Sequence, residues 1–174
     1  MTNTKTASTA YKVALSAMMA ALALIFSYVE AIIPFSFGVP GIKLGIANLV
    51  ILVSLYVLGG RYTLSINVLR ILIAGLLFNG FFGAMYSLAG GILSFFVMLL
   101  LQKTRLFSPI GISMAGGVTH NLGQLLVAAA IVENMKLFFY FPVLLFSGMV
   151  SGILIGILTH LILRKLPKMG WKHP

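Results

Sequence analysis

Acidic side chains are nearly absent from this sequence. Its 174 residues include no Asp and only two acids, Glu30 and Glu133, against twelve Lys and Arg. Cysteine is missing altogether and tryptophan occurs once. Without cysteine there is no disulfide, no cysteine-ligated zinc and no thiol nucleophile, and the redox compartment stays undetermined. Without Asp there is no carboxylate cluster of the kind that holds Mg2+ for diphosphate chemistry, and two Glu in distant parts of the chain do not supply one. Charge of either sign is scarce, at 8% of residues, where a soluble domain carries about 25%. Hydrophobic residues make up 60% of the chain and the mean hydropathy is +1.11. Such a surface is not wetted by water, so the solvent is lipid, which excludes a soluble globular enzyme. The net charge of +10 does not point to nucleic acid either, because the basic residues lie between apolar runs and not along one face.

A helical span needs about 20 apolar residues, with a range of about 17–25. Six runs meet that need: Tyr11–Ile33, Ile42–Leu58, Thr63–Gly80, Phe82–Leu101, Pro109–Ile131 and Phe138–Leu163. The breaks between them carry turn or polar residues: Pro34 to Gly41, Gly59-Gly60-Arg61, Asn79 to Gly83, Gln102 to Ser108, and Glu133 to Lys136. The first run is too long and Ala-rich for a signal-peptide core, and no small-residue cleavage site precedes a mature domain. The expectation is therefore an all-α membrane protein, one compact domain over 1–174 with a polar tail at 1–10 and a basic tail at 164–174. Basic loops face the cytoplasm. With the N-terminus inside, nine basic residues are cytoplasmic (Lys5, Lys12, Arg61, Lys103, Arg105, Arg164, Lys165, Lys168 and Lys172), while Lys43 and Lys136 are outside and Arg70 is within a span. Six crossings place both termini in the cytoplasm. The first outer loop, Pro34-Phe-Ser-Phe-Gly-Val-Pro-Gly41, cannot continue as a helix. Its two Phe favour folding back onto the bundle, as a lid or as an interfacial anchor.

In lipid, small residues four apart mark faces where helices approach closely. Helix one carries Ala10/Ala14, Ser16/Ala20 and Ala17/Ala21; helix four carries Ser87/Gly91 and Gly90/Ser94; helix six carries Ser147/Ser151 and Gly148/Gly152/Gly156. Those of helices four and six read as packing within the bundle. That of helix one reads equally as packing or as a docking face for another membrane protein.

Polar groups inside a span cost a few kcal/mol on insertion scales, so each is a functional candidate. Arg70 with Asn67 lies near the middle of helix three. His120, Asn121 and Gln124 lie near the middle of helix five, with His120 and Gln124 on one face at i, i+4. Asn48 and Asn79 are near the outer ends of helices two and three. Arg70, with no carboxylate expected in its layer, must meet carbonyls, amides or an anionic ligand, or extend towards the cytoplasmic side. The His120 group is either an interhelical hydrogen-bond cluster or the polar floor of a cavity. A metal site is not expected, since carboxylates are scarce, and no Ser-His-acid triad can be assembled because neither Glu shares the depth of His120. At the outer surface Glu30, Lys43, Glu133, Asn134, Lys136 and Tyr140 are positioned to line the mouth of a cavity, or to pair as ordinary interfacial charges, Glu30 with Lys43 and Glu133 with Lys136. The chain has no Gly-x-x-x-x-Gly-Lys-Ser/Thr phosphate loop and no carboxylate relay of the kind found in proton-driven carriers. A solute it moved would need energy from partners.

Three stretches carry a family resemblance: Pro40-Gly-Ile-Lys-Leu-Gly-Ile-Ala-Asn48, Ser87-Leu-Ala-Gly-Gly91 and Ser108-Pro-Ile-Gly-Ile-Ser-Met-Ala-Gly-Gly-Val-Thr-His-Asn-Leu-Gly-Gln124. They resemble the membrane family called heptaprenyl diphosphate synthase component I, or the Gx transporter family. Size, six spans and the Ala-rich first helix also resemble the substrate-binding (S) components of energy-coupling factor (ECF) transporters, which work with a membrane coupling subunit and two cytosolic ATPases. That resemblance implies an outward solute site under the first loop, lined mainly by helices four to six. It further implies docking of Ala14, Ala17 and Ala21 on the coupling subunit, and no cofactor. Candidate solute contacts are then Lys43, Asn48, Asn79, His120, Asn121, Gln124 and Tyr140. The solute implied is a vitamin or cofactor precursor of isoprenoid, quinone-precursor or flavin-like type, and the chain is expected not to be an enzyme itself. Two other readings remain open: a membrane accessory subunit for prenyl diphosphate synthesis, and a stand-alone oligomeric carrier or channel.

Overall fold

Long apolar runs in lipid must satisfy their own backbone N–H and C=O groups, and a helix does so within one segment. A computed structural model describes residues 9–33 and 45–166, with no strand among the described residues. Six helices follow in chain order: α1 (Thr9–Ile32), α2 (Ile46–Val57), α3 (Gly60–Ala74), α4 (Gly80–Thr104), α5 (Pro109–Val132) and α6 (Phe141–Lys165). A π-helical turn, Gly75–Asn79, ends α3, and a 3-10 turn, Met135–Tyr140, leads into α6. Five segments are long and apolar enough to cross a bilayer, which makes this a multi-pass membrane protein.

Local chemistry sets the helix ends. Ser108 caps α5, its hydroxyl accepting from the Gly111 N–H at 3.3 Å, with Pro109 in the first turn, where a missing N–H costs nothing. Lys103 closes α4, and Arg164 and Lys165 close α6, each at the negative end of its helix dipole. The Asn79-to-Gly83 break expected between spans three and four contains no loop. Gly80, at φ 68° and ψ 178°, turns the chain in a conformation that L side chains disfavour, and α4 starts on that residue.

The larger departure from the sequence pattern is α2. The apolar run from Ile42 predicts a full span, but the described helix starts at Ile46 and has 12 residues. At about 1.5 Å per residue it is about 18 Å long, well short of a hydrocarbon core of about 30 Å. Gly45, at φ 75°, sets its start.

Neighbouring helices α3 to α6 run antiparallel in a meander, as their closest approaches show. Gly75 faces Ala84 and Gly91 faces Asn67 across α3–α4; Gly90 faces Gly123 and Gly116 faces Met98 across α4–α5; Gly148 faces Gly117, Gly152 faces Met114 and Gly156 faces Ile110 across α5–α6. The glycine stripe of α6 is thus consumed in backbone-to-backbone packing on α5. Helix α2 runs parallel to α4: Asn48 shares a cavity with Ser94, and seven residues further on the Leu55 carbonyl accepts from Gln102 Nε2 at 3.1 Å. The core gathers around α2, where Val50, Ile51, Leu52 and Leu55 pack with Ala23, Ile66, Phe95, Met98 and Ile112. Ile112 is in the first turn of α5 and Met98 in the last third of α4. The short helix therefore fills the half of the bundle nearest the basic ends, which the charge rule makes cytoplasmic.

Candidate functional site

The tip of α2 ends inside the molecule. Gly45 and Asn48 meet Gly116 and Gly117 of α5 and Ser151 and Gly152 of α6 around a small cavity. Gly117 is the ninth residue of α5, about 12 Å from its basic end. Outward of that level α4, α5 and α6 continue for several turns, and nothing among the described residues continues α2 beside them. Helix α1 does not fill the space either, because its outer half leans on α3 and the turn that ends it: the Tyr28 and Phe78 rings meet with centroids 5.1 Å apart and planes tilted at 45°, and Ser27 accepts from Arg70. Among the described residues α2 thus forms a floor between α4, α5 and α6 as walls, with a small cavity at its tip.

The floor cavity, about 20 Å3 in volume, has room for one water-sized group. Ser94 of α4 and Ser113 of α5 line it, only 2% and 6% exposed. Neither hydroxyl has a hydrogen-bond partner among the described residues, whereas Ser151 donates to the Gly148 carbonyl at 3.3 Å. Asn48, in the first turn of α2, adds its amide. Because α2 is short, that end of the helix lies at the level of Gly117 of α5.

The face of α5 that lines the cavity continues outward by helical repeat, with His120 one turn above Gly116 and Asn121 one turn above Gly117. All three polar residues of this stretch are half-buried. Asn121 donates to the Leu144 carbonyl of α6 at 2.8 Å. His120 and Gln124 instead lie against Gly90 of α4, the His120 Cδ2 being 3.3 Å from where a Cβ on Gly90 would stand. The cluster therefore splits between two helix seams and pins both walls. Tyr140 ends the 3-10 turn at the outer side and is half-buried. Lys43 and the side chain of Asn79 lie outside the described residues. On α1, Ala14, Ala17 and Ala21 are all exposed, on a face turned away from the bundle.

Arg70 is 9% exposed. It donates to Asn67 Oδ1 at 2.9 Å and Ser27 Oγ at 3.3 Å, and Asn67 Nδ2 donates to the Gly91 carbonyl at 3.0 Å. Glu30 accepts from the Ile46 N–H at 2.9 Å, capping α2. Sequence reading missed this cap. It also missed Ser94, Ser113 and Ser151 as lining groups, although the four-residue spacing of Ser94 and Ser151 had marked them as packing residues.

Residues 19–162 match the family described as heptaprenyl diphosphate synthase component I. The chain belongs to that family. The match runs from the middle of α1 almost to the end of α6 and includes every described residue that lines the cavity. No curated protein and no solved structure matches the chain.

Proposed function

We propose that this protein is the solute-binding membrane subunit, similar to an S component, of an ATP-driven transporter for a vitamin or cofactor precursor in a bacterial cytoplasmic membrane. The observation that carries the reading is the short α2: a helix that fills only the inner half of the bundle makes a floor, and an outward hollow is what a solute-capturing subunit requires. Its walls are tied by Asn121 to Leu144 and by the close approach of Gly90 and Gly123, so the site is preformed. The exposed alanine face of α1 offers a flat surface on which a membrane coupling subunit can seat, with two cytosolic ATPases supplying energy. The chain itself performs no chemistry in this reading.

Co-expression with a coupling subunit and its two ATPases tests it. A stable complex that drives ATP-dependent solute uptake is expected, and Ala17→Trp or Ala21→Trp is expected to abolish the complex while leaving solute binding intact. Retention of the complex by both variants would overturn the docking face, and absence of any complex would overturn the transport reading.

The family's description favours a second reading, in which the chain anchors a separate prenyl diphosphate synthase component at the membrane. Incubation with allylic diphosphate and Mg2+, with and without such a partner, separates the two. Stimulation of the partner's synthesis favours the second reading, and product made by this chain alone would contradict both.

A further inference from the structure

The charges of this bundle are sorted by end. Its only acids, Glu30 and Glu133, both lie outward, Glu30 at the tip of α2 and Glu133 just past α5. Lys12, Arg61, Lys103, Arg105, Arg164 and Lys165 lie at the opposite end with no acid among them. Leu99 Cδ1 is 3.0 Å from where a Cβ on Gly60 would stand, which brings the start of α3, and Arg61 with it, beside the last turns of α4. The negative charge that meets these cations comes from outside the chain.

The turn from α4 to α5 says what kind of partner carries it. Lys103, Thr104, Arg105, Leu106 and Phe107 are exposed one after another, Leu106 at 82% and Phe107 at 45%. The turn is held from behind, with Gln102 donating to the Leu55 carbonyl and the Leu106 N–H donating to the Thr104 hydroxyl at 3.4 Å. Arg105 has φ 58°. At this position after a helix glycine fits without strain and a side chain does not. Folding alone favours glycine there, so what arginine adds is its exposed guanidinium. An exposed Leu-Phe pair between cations and a helix start suits the headgroup boundary of a bilayer, where apolar side chains reach the acyl chains and basic ones reach the headgroups. A free phosphate matches the cations alone, and an acidic soluble surface leaves the Leu-Phe pair unmatched. An anionic lipid matches both.

We infer that the α4–α5 turn is an anchor for anionic phospholipid of the cytoplasmic leaflet. Lys103 and Arg105, with Arg61 beside them, hold the headgroup, while Leu106 and Phe107 enter the acyl boundary. Each basic residue at an anionic membrane surface adds about fivefold to binding, and salt weakens the effect.

The test uses the full chain in zwitterionic nanodiscs. Because the chain has no cysteine, Leu106→Cys takes a single NBD label. Acyl-chain nitroxide phosphatidylglycerol and nitroxide phosphatidylcholine, added separately at equal mole fraction, report by quenching which lipid sits beside it. The label is expected to emit as in a bilayer and to show a local enrichment of phosphatidylglycerol of about threefold or more. Lys103→Gln/Arg105→Gln removes the enrichment. Arg164→Gln/Lys165→Gln, the same loss of charge elsewhere at that end, keeps it. Arg105→Gly reduces the enrichment with no fall in melting temperature, which separates the guanidinium from folding. Equal quenching by the two lipids would overturn the anchor, as would enrichment that survives Lys103→Gln/Arg105→Gln or is lost equally in the α6 variant. Emission of the label as in water would leave the turn to a soluble partner and overturn it too. So would loss of the enrichment in inorganic phosphate but not in sodium chloride of equal ionic strength. None of these outcomes involves the solute or a coupling subunit.

Discussion

The two halves of this bundle are held together by different means. In α4 to α6 the helices touch backbone to backbone: a Cβ on Gly152 would stand 2.6 Å from Met114 Cα, and one on Gly156 would stand 2.6 Å from Ile110 Cα. In α1 to α3 the contact is made by side chains, with Arg70, Asn67 and Ser27 bridging α1, α3 and α4, and most of α1 open to its surroundings. Lipid offers little hydrophobic drive for helix association, so α4 to α6 rely on close approach, whereas α1 to α3 combine buried polar bonds with apolar packing around α2. Close approach gives a stiff wall suited to a preformed site. A helix held by a few polar bonds keeps its outer face free for a partner.

Substitutions sharpen that contrast. Gly152→Leu is expected to have the largest effect, destabilising by about 3 kcal/mol or more, because the atoms in its way are backbone and cannot turn aside; loss of folded protein on detergent extraction checks it. Asn67→Leu comes next, at about 2–3 kcal/mol in chemical unfolding, since it leaves the Arg70 guanidinium buried with one partner fewer. The double variant Asn67→Leu/Arg70→Met is expected to recover most of that loss, and failure to recover would show that the pair is not the unit that matters. Ser108→Ala removes the α5 cap and costs about 1 kcal/mol, read as a lower melting temperature. Ala17→Trp, on the open face of α1, changes stability by less than about 0.5 kcal/mol. If it instead unfolds the protein, the stripe packs within the bundle and is not a docking face.

Much of this architecture was legible in the sequence. The hydropathy runs placed five of the spans to within a few residues, and the spacing of Gly148, Gly152 and Gly156 announced the α6 packing face. Of the polar residues singled out in helix five, Asn121 bonds to α6 and Gln124 abuts α4. What the sequence hid was depth. Hydropathy does not distinguish an apolar helix from an apolar connection, so the run from Ile42 read as a complete span. Small-residue spacing likewise does not say whether a serine packs or lines a space, which is why Ser94 passed as a packing residue. The bond from the Ile46 N–H to Glu30 joins residues sixteen positions apart in sequence and depends on how α1 and α2 meet, a tertiary fact with no local signal.

Because the chain has no cysteine, single cysteines report access to the hollow directly. Asn48→Cys and Asn121→Cys, each in intact cells, are expected to react with a membrane-impermeant maleimide added from outside, while Phe95→Cys in the packed core beside α2 stays unlabelled. Protection of Asn48→Cys and Asn121→Cys to the level of Phe95→Cys, or labelling only from the cytoplasmic side, would contradict an outward hollow floored by α2.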